Sequence, residues 1–167
     1  MSEDRATEIL KNAILLEKRG YAFYSKVAEQ AKGDAVKKFF RLMADEETAH
    51  VQILSDQFKF YQANRRFRHA DPKDGGEFAT ATEILTGELK RQISAADYEA
   101  AAIAAAMAME QKAIQIYSRR AAEAQDPDEK ALYGWLAGWE KAHLDFLARV
   151  DRELTEEIWN DNHFWPF

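Results

Sequence analysis

Two short strings in this sequence carry residue types that hold metal ions: Glu47-Thr48-Ala49-His50 and Glu140-Lys141-Ala142-His143. On a helix, residues three apart are neighbours on one face. Each string would therefore present a carboxylate and an imidazole side by side. Each is preceded by a glutamate with a tyrosine two turns after it, Glu17 with Tyr24 and Glu110 with Tyr117. All of these residues superpose at one shift of 93 residues, with no gap between the first glutamate of each half and its histidine. Ala13 and Ala106, Ser25 and Ser118, Ala28 and Ala121, Ala44 and Ala137, and Leu54 and Leu147 match at the same shift. A shared hydrophobic period could align the apolar residues by chance. It would not align Glu, Tyr, Glu and His together.

The polar residues lie inside apolar stripes. Glu17 falls between Ala13/Ile14 and Tyr21/Tyr24, Glu47 between Met43 and Val51, Glu110 between Met107 and Ile114, and Glu140 between Leu136 and Leu144. Four carboxylates and two imidazoles thus point into one core. A buried unpaired carboxylate costs several kcal/mol even after relaxation, and four close together repel one another. No lysine shares these stripes: Lys18, Lys112 and Lys141 adjoin or flank the glutamates on other faces. Two divalent cations bring four positive charges to four glutamates, and the count closes. Oxygen and imidazole donors suit iron or manganese, and zinc is compatible. A lone Glu on each of two helices, with Glu-x-x-His on each of two others, is the ligand set of di-iron and di-manganese carboxylate bundles.

Such a site needs four helices, and the sequence supplies them. Three prolines, Pro72, Pro127 and Pro166, punctuate long stretches of strong helix formers. The period predicts a first helix from Thr7 to Ala31, broken by Gly33. The second is expected to start on Asp34 as N-cap and run to Asn64. A third is expected from Ser94, with Ser94 and Asp97 at capping-box spacing, to Gln125. The fourth is expected from Asp126-Pro127 to Leu154, with Asp126 and Glu129 again at box spacing. Short turns make each pair an antiparallel hairpin. Residues 62–93 contain Asp71-Pro72-Lys73-Asp74-Gly75-Gly76, a loop signal, then a short helical piece from Thr80 to Gln92. That is enough chain to return from one end of a bundle to the other. The expected fold is all-α: an antiparallel four-helix bundle of two duplicated hairpins with a long crossover. One domain would span residues 1–154, with an aromatic C-terminal tail at 155–167.

Composition narrows the function. The chain has 167 residues, 47% hydrophobic and 31% charged, which describes a globular domain rather than a disordered one. It has no cysteine, which excludes disulfides, thiolate zinc sites, cysteine-ligated iron–sulfur clusters and a rubredoxin-type iron centre. A formal charge of −6 gives no footprint for nucleic acid. No run reaches the roughly 18 apolar residues of a membrane span. Met1 to Arg5 is charged with no hydrophobic run behind it, so no signal peptide is expected and a cytoplasmic location follows by default.

Between Ala6 and Leu154 the chain resembles the ferritin-like superfamily, most closely its rubrerythrin-related branch. The resemblance rests on Glu17…Tyr24, Glu47-Thr48-Ala49-His50, Glu110…Tyr117 and Glu140-Lys141-Ala142-His143. It implies that Glu17 and Glu110 are terminal ligands, that Glu47 and Glu140 bridge two metals, most often iron, and that His50 and His143 each cap one metal. Rubrerythrins proper carry a further carboxylate one turn after the third-helix glutamate, where this chain has Ala113. They also usually carry a cysteine-ligated rubredoxin centre, absent here. Ferritin cages and bacterioferritins usually add a short fifth helix, for which only Thr155 to Phe167 remain.

The first functional expectation is a di-iron oxidoreductase that reacts with O2 or H2O2, as a peroxidase, oxidase or ferroxidase, with electrons from an external donor or from ferrous iron. The alternative is a non-catalytic iron-binding, delivery or storage protein. Substrate oxygenation would need an organic pocket that no sequence feature announces. Tyr24 and Tyr117 are expected to hydrogen-bond ligand carboxylates of the opposite hairpin. Trp135, Trp139 and Phe146 form a stripe read as lying away from the ligands, either a subunit interface or the seat of Phe78, Ile84 and Leu85 from the crossover. His69 and His163 are expected on the surface. A homodimer or larger homo-oligomer is expected, in which the duplicated hairpins could also be exchanged between chains.

Overall fold

The computed structural model describes residues 4–69, 87–93 and 97–160. Among these residues the regular structure is helical throughout: α1 (Arg5–Gln30), α2 (Asp34–Asn64), α3 (Tyr98–Glu123) and α4 (Pro127–Asn160), with residues 87–92 also helical. The rest of the expected crossover, Ser94 of the expected capping box, and the tail beyond Asn160 lie outside the described residues. None of the described helices is long and apolar enough to cross a membrane.

The helix ends differ from the sequence expectation in instructive ways. Asp4 caps α1, its Oδ1 accepting from the Ala6 amide at 3.4 Å. Asp34 does not cap α2. It is the first helical residue, behind an N-cap Gly33 that has no side chain to offer. The Ala35 amide donates instead to Gln92 Oε1 at 2.9 Å. A Cβ on Gly33 would stand 2.3 Å from that oxygen, so only glycine permits the approach. α3 starts at Tyr98, behind Asp97 as its N-cap. Asp126 caps α4 as expected, accepting from the Asp128 amide at 2.8 Å and the Glu129 amide at 3.4 Å. Glu129 does not close the box, because Arg120 takes its carboxylate at 2.5 Å. α4 also runs on past Leu154. Thr155 and Asn160 bond the carbonyls of Asp151 and Glu156 one turn back, at 2.8 and 2.9 Å.

The helices pack as pairs, α1 on α2 and α3 on α4, and α1 also meets α3. Early residues of one helix touch late residues of its neighbour. Asp4 meets Tyr61 and Glu17 meets His50 in the first pair. Glu110 meets His143 and Tyr117 meets Tyr133 in the second. α2 and α4 face each other through Phe39 and Phe146, whose rings lie 5.0 Å apart.

The core has two apolar parts with a polar layer between them. One is built on Phe39, Phe40, Met43, Ile103, Phe146, Leu147 and Leu154, and takes in Leu89 and Ile93. The other is built on Leu10, Leu54, Phe67, Leu132, Tyr133 and Leu136. Each fully buried Leu, Ile or Phe contributes about 1.5–3 kcal/mol. Stripes of that strength hold the polar residues between them in place.

Candidate metal centre

Glu17 comes from α1, Glu47 and His50 from α2, Glu110 from α3, and Glu140 and His143 from α4. None is more than 4% exposed. The structure brings all six together. Glu17, Glu47, His50 and Glu140 each place one donor atom within 4.8 Å of the others, and so do Glu47, Glu110, Glu140 and His143. Glu47 and Glu140 belong to both sets. His50 Nδ1 lies 3.1 Å from Glu17 Oε2, 3.0 Å from Glu140 Oε1 and 3.9 Å from Glu47 Oε2. His143 Nδ1 lies 3.1 Å from Glu140 Oε2 and 3.7 Å from Glu110 Oε1. The tyrosine hydroxyls cross between hairpins: Tyr24 donates to Glu110 Oε1, and Tyr117 to Glu17 Oε1.

This donor set fits a pair of cations. An imidazole nitrogen carries at most one hydrogen, yet His50 Nδ1 faces oxygens of three carboxylates. Glu140 Oε1 is close to it but out of hydrogen-bond alignment, and has no hydrogen-bond partner among the described residues. A cluster of this kind takes up positive charge, and metal ions with oxygen and imidazole preferences would supply it in place of protons.

The protonation pattern shows the same demand for positive charge. Burial, with Glu17 and Glu140 beside it, pushes Glu47 well above the usual carboxylate range. Burial lifts Glu110 to about 7, against the pull of His143. Burial would depress His50, but Glu140 and Glu17 outweigh it and raise the ring to about 9. His143 rises well above its ordinary value in the same way, against burial, through Glu110 and Glu140. Glu140 is the exception: burial raises it, but the two imidazoles outweigh burial and hold it well below the normal range. Without metal, the cluster gathers protons onto its histidines and onto Glu47.

A rubrerythrin family model matches residues 8–150. The chain belongs to the rubrerythrin family. That family is ferritin-like and di-iron, and the buried carboxylate and histidine cluster is compatible with it. No curated protein and no solved structure matches the chain.

Ala113 and Gly20 stand beside open space next to the cluster. A cavity of about 270 Å3 lies between α1 and α3, bounded by Glu17, Glu47, Glu110 and Glu140 and flanked by Gly20 and Ala113. A Cβ on Gly20 would stand 3.0 Å from Glu47 Cδ, so glycine lets α1 pass close to that carboxylate. Leu16, Arg19 and Lys112 line both this cavity and a larger groove of about 520 Å3.

Other residues sit differently from expectation. Trp135 and Trp139 are not remote from the ligands: their rings lie edge-on to His50, at 5.8 and 5.5 Å between centroids. Each immediately precedes a residue of the buried stripe, Leu136 or Glu140, and α2 packs against that flank. Phe146 is buried in the core. His69 is exposed and lies 2.8 Å from Asp128 Oδ1, and His163 is outside the described residues. Sequence reading missed Glu46, which accepts from Trp139 Nε1 at 2.7 Å. The repeat gave no particular signal for it, since 46 and 139 are one of many aligned pairs at which the two halves differ. Gly20 did carry a signal: a glycine inside a helix costs about 1 kcal/mol relative to alanine, so its place demands a packing reason.

Proposed function

We propose that this chain is a di-iron carboxylate oxidoreductase that reacts with O2 or H2O2, in a ferritin-like four-helix bundle of two duplicated hairpins. The observation that carries the reading is the pair of four-residue donor sets sharing Glu47 and Glu140. Two metals held by shared carboxylates need that arrangement. Glu17 and Glu110 would each serve one metal, Glu47 and Glu140 both, and His50 and His143 one each. A ferrous pair bound there supplies the two electrons that reduce the oxidant.

The chain's own residues prepare the site. Apolar layers on both sides exclude bulk water. Tyr24 and Tyr117 fix the orientation of Glu110 and Glu17 and hold a proton on each phenol. Burial raises both phenols well above their ordinary values, and the carboxylates beside them add to it. The cavity beside Gly20 and Ala113 gives a small oxidant a path from the α1/α3 side. Electrons return from an external donor or from ferrous iron itself.

The test is rapid mixing. The metal-free protein is loaded anaerobically with two ferrous ions per chain and mixed separately with O2 and with H2O2, while the ferric absorption bands are followed. Faster oxidation by peroxide supports a peroxidase, and faster oxidation by O2 an oxidase or ferroxidase. No reaction with either, in protein shown to hold the iron, rejects the oxidoreductase and leaves storage, delivery or another native metal.

A further inference from the structure

The 93-residue repeat breaks beside the cluster. Residue 46 is Glu and its counterpart, residue 139, is Trp. The two side chains meet across α2 and α4, Trp139 Nε1 donating to Glu46 Oε2 at 2.7 Å. The same oxygen lies 3.8 Å from His143 Nε2. That is the ring nitrogen turned away from the cluster, since His143 Nδ1 faces Glu140 and Glu110.

The other half has no such carboxylate. His50 Nε2 has no hydrogen-bond partner among the described residues, and Glu46 meets His143 Nε2 at ion-pair distance only, so the halves differ in the approach of a carboxylate and not in a formed hydrogen bond. The rings of Trp135 and Trp139 lie edge-on to the His50 ring. One indole therefore does two things: its N–H fixes a carboxylate near His143, and its ring packs against His50.

We infer that Glu46 is a positioning residue for His143 and makes the two halves of the centre unequal, the Glu110/His143 side binding a divalent cation more tightly than the Glu17/His50 side. The inference rests on the metal-centre reading. A carboxylate at the distal N–H of a ligating imidazole fixes its tautomer and orientation and raises its basicity, and loss of such a partner costs about 10–100-fold in metal affinity. His50 must instead keep its distal N–H without an acceptor, which disfavours the tautomer it needs for binding through Nδ1.

The experiment titrates the metal-free full chain with Zn2+ against a chromophoric chelator. Two binding steps are expected, separated by at least about tenfold. His143→Ala should abolish the tighter step and His50→Ala the weaker one. Glu46→Gln should weaken the tighter step by about 10–100-fold and leave the weaker one in place. Trp139→Phe, which keeps a ring but removes the N–H, should weaken the same step less. In the zinc-loaded protein, NMR should show one protected, downfield imidazole N–H, assigned to His143 and shifted in Glu46→Gln. General loosening of the fold would disturb both imidazoles alike and would count against the inference. Equal steps in the parent, loss of the tighter step in His50→Ala, or no effect of Glu46→Gln would overturn it while leaving the metal centre standing. A parent that binds no cation would overturn the metal-centre reading and this inference together.

Discussion

In the first hairpin, the helix that carries Glu47 and His50 begins at Gly33 and takes its capping oxygen from Gln92, far along the chain. In the second, the helix that carries Glu140 and His143 begins at Pro127 and is capped by its own Asp126. Gly20 opens the α1 side of the cavity and Ala113 the α3 side. Glu46 stands by one imidazole, and indole rings stand by the other. The duplicated halves agree on the six donors and the two tyrosines and differ in what caps, covers and opens them. Donor identity is constrained by charge: loss of an imidazole or a carboxylate leaves buried charge of one sign unmatched, at several kcal/mol. The surroundings are constrained only to fill space and satisfy hydrogen bonds, which many residues can do, so the halves have diverged there.

Removing donors should break the symmetry most strongly. Glu47 and Glu140 are common to both donor sets, so Glu47→Ala and Glu140→Ala should each cost both metals. Glu17→Ala and Glu110→Ala should each cost one. Metal content after dialysis, read by elemental analysis, checks this. Two metals bound as tightly as in the parent by either Glu47→Ala or Glu140→Ala would end the shared-ligand assignment.

pH should move the metal-free and metal-loaded proteins in opposite directions. Glu110 sits at about 7 in the fold against an ordinary 4.5, and His50 at about 9 against 6.5. Both bind protons more tightly folded than unfolded. Their stabilisation is therefore fully present below the unfolded values, and is lost as pH rises through about 4.5–7 for Glu110 and 6.5–9 for His50. Metal binding needs those protons gone, so metal affinity should rise over the same range. Thermal melts at pH 6 and pH 9, with EDTA and with Zn2+, make the comparison. A metal-free melting temperature that holds or climbs from pH 6 to pH 9 would contradict the protonation pattern.

The caps give the smallest effect and the sharpest contrast. Gln92→Ala and Asp126→Ala should each cost about 1 kcal/mol in urea unfolding, the usual worth of a helix cap. Gly33→Ala should cost at least as much as Gln92→Ala, because its Cβ displaces the same oxygen. A neutral Gln92→Ala would show that the crossover does not secure α2.

Much of the centre was legible in the sequence. Glu17, Glu47, Glu110, Glu140, His50 and His143 interrupt apolar stripes at helical spacing, and the repeat at 93 residues marks them as one set. Four long helices followed from the same period, because burial of one face is a local, periodic property. The sequence also posed the charge of four buried glutamates as a count that two divalent cations would close. Only the tertiary structure decided which helix starts were capped from outside, as at Ala35 by Gln92. It alone placed Trp139 beside His50 and Glu46 near His143. Those contacts join residues more than fifty positions apart, through side chains one step off the buried stripe. Periodicity assigns a residue to a face, but the identity of its neighbour across a helix interface depends on how the helices are set against one another, and no local pattern encodes that.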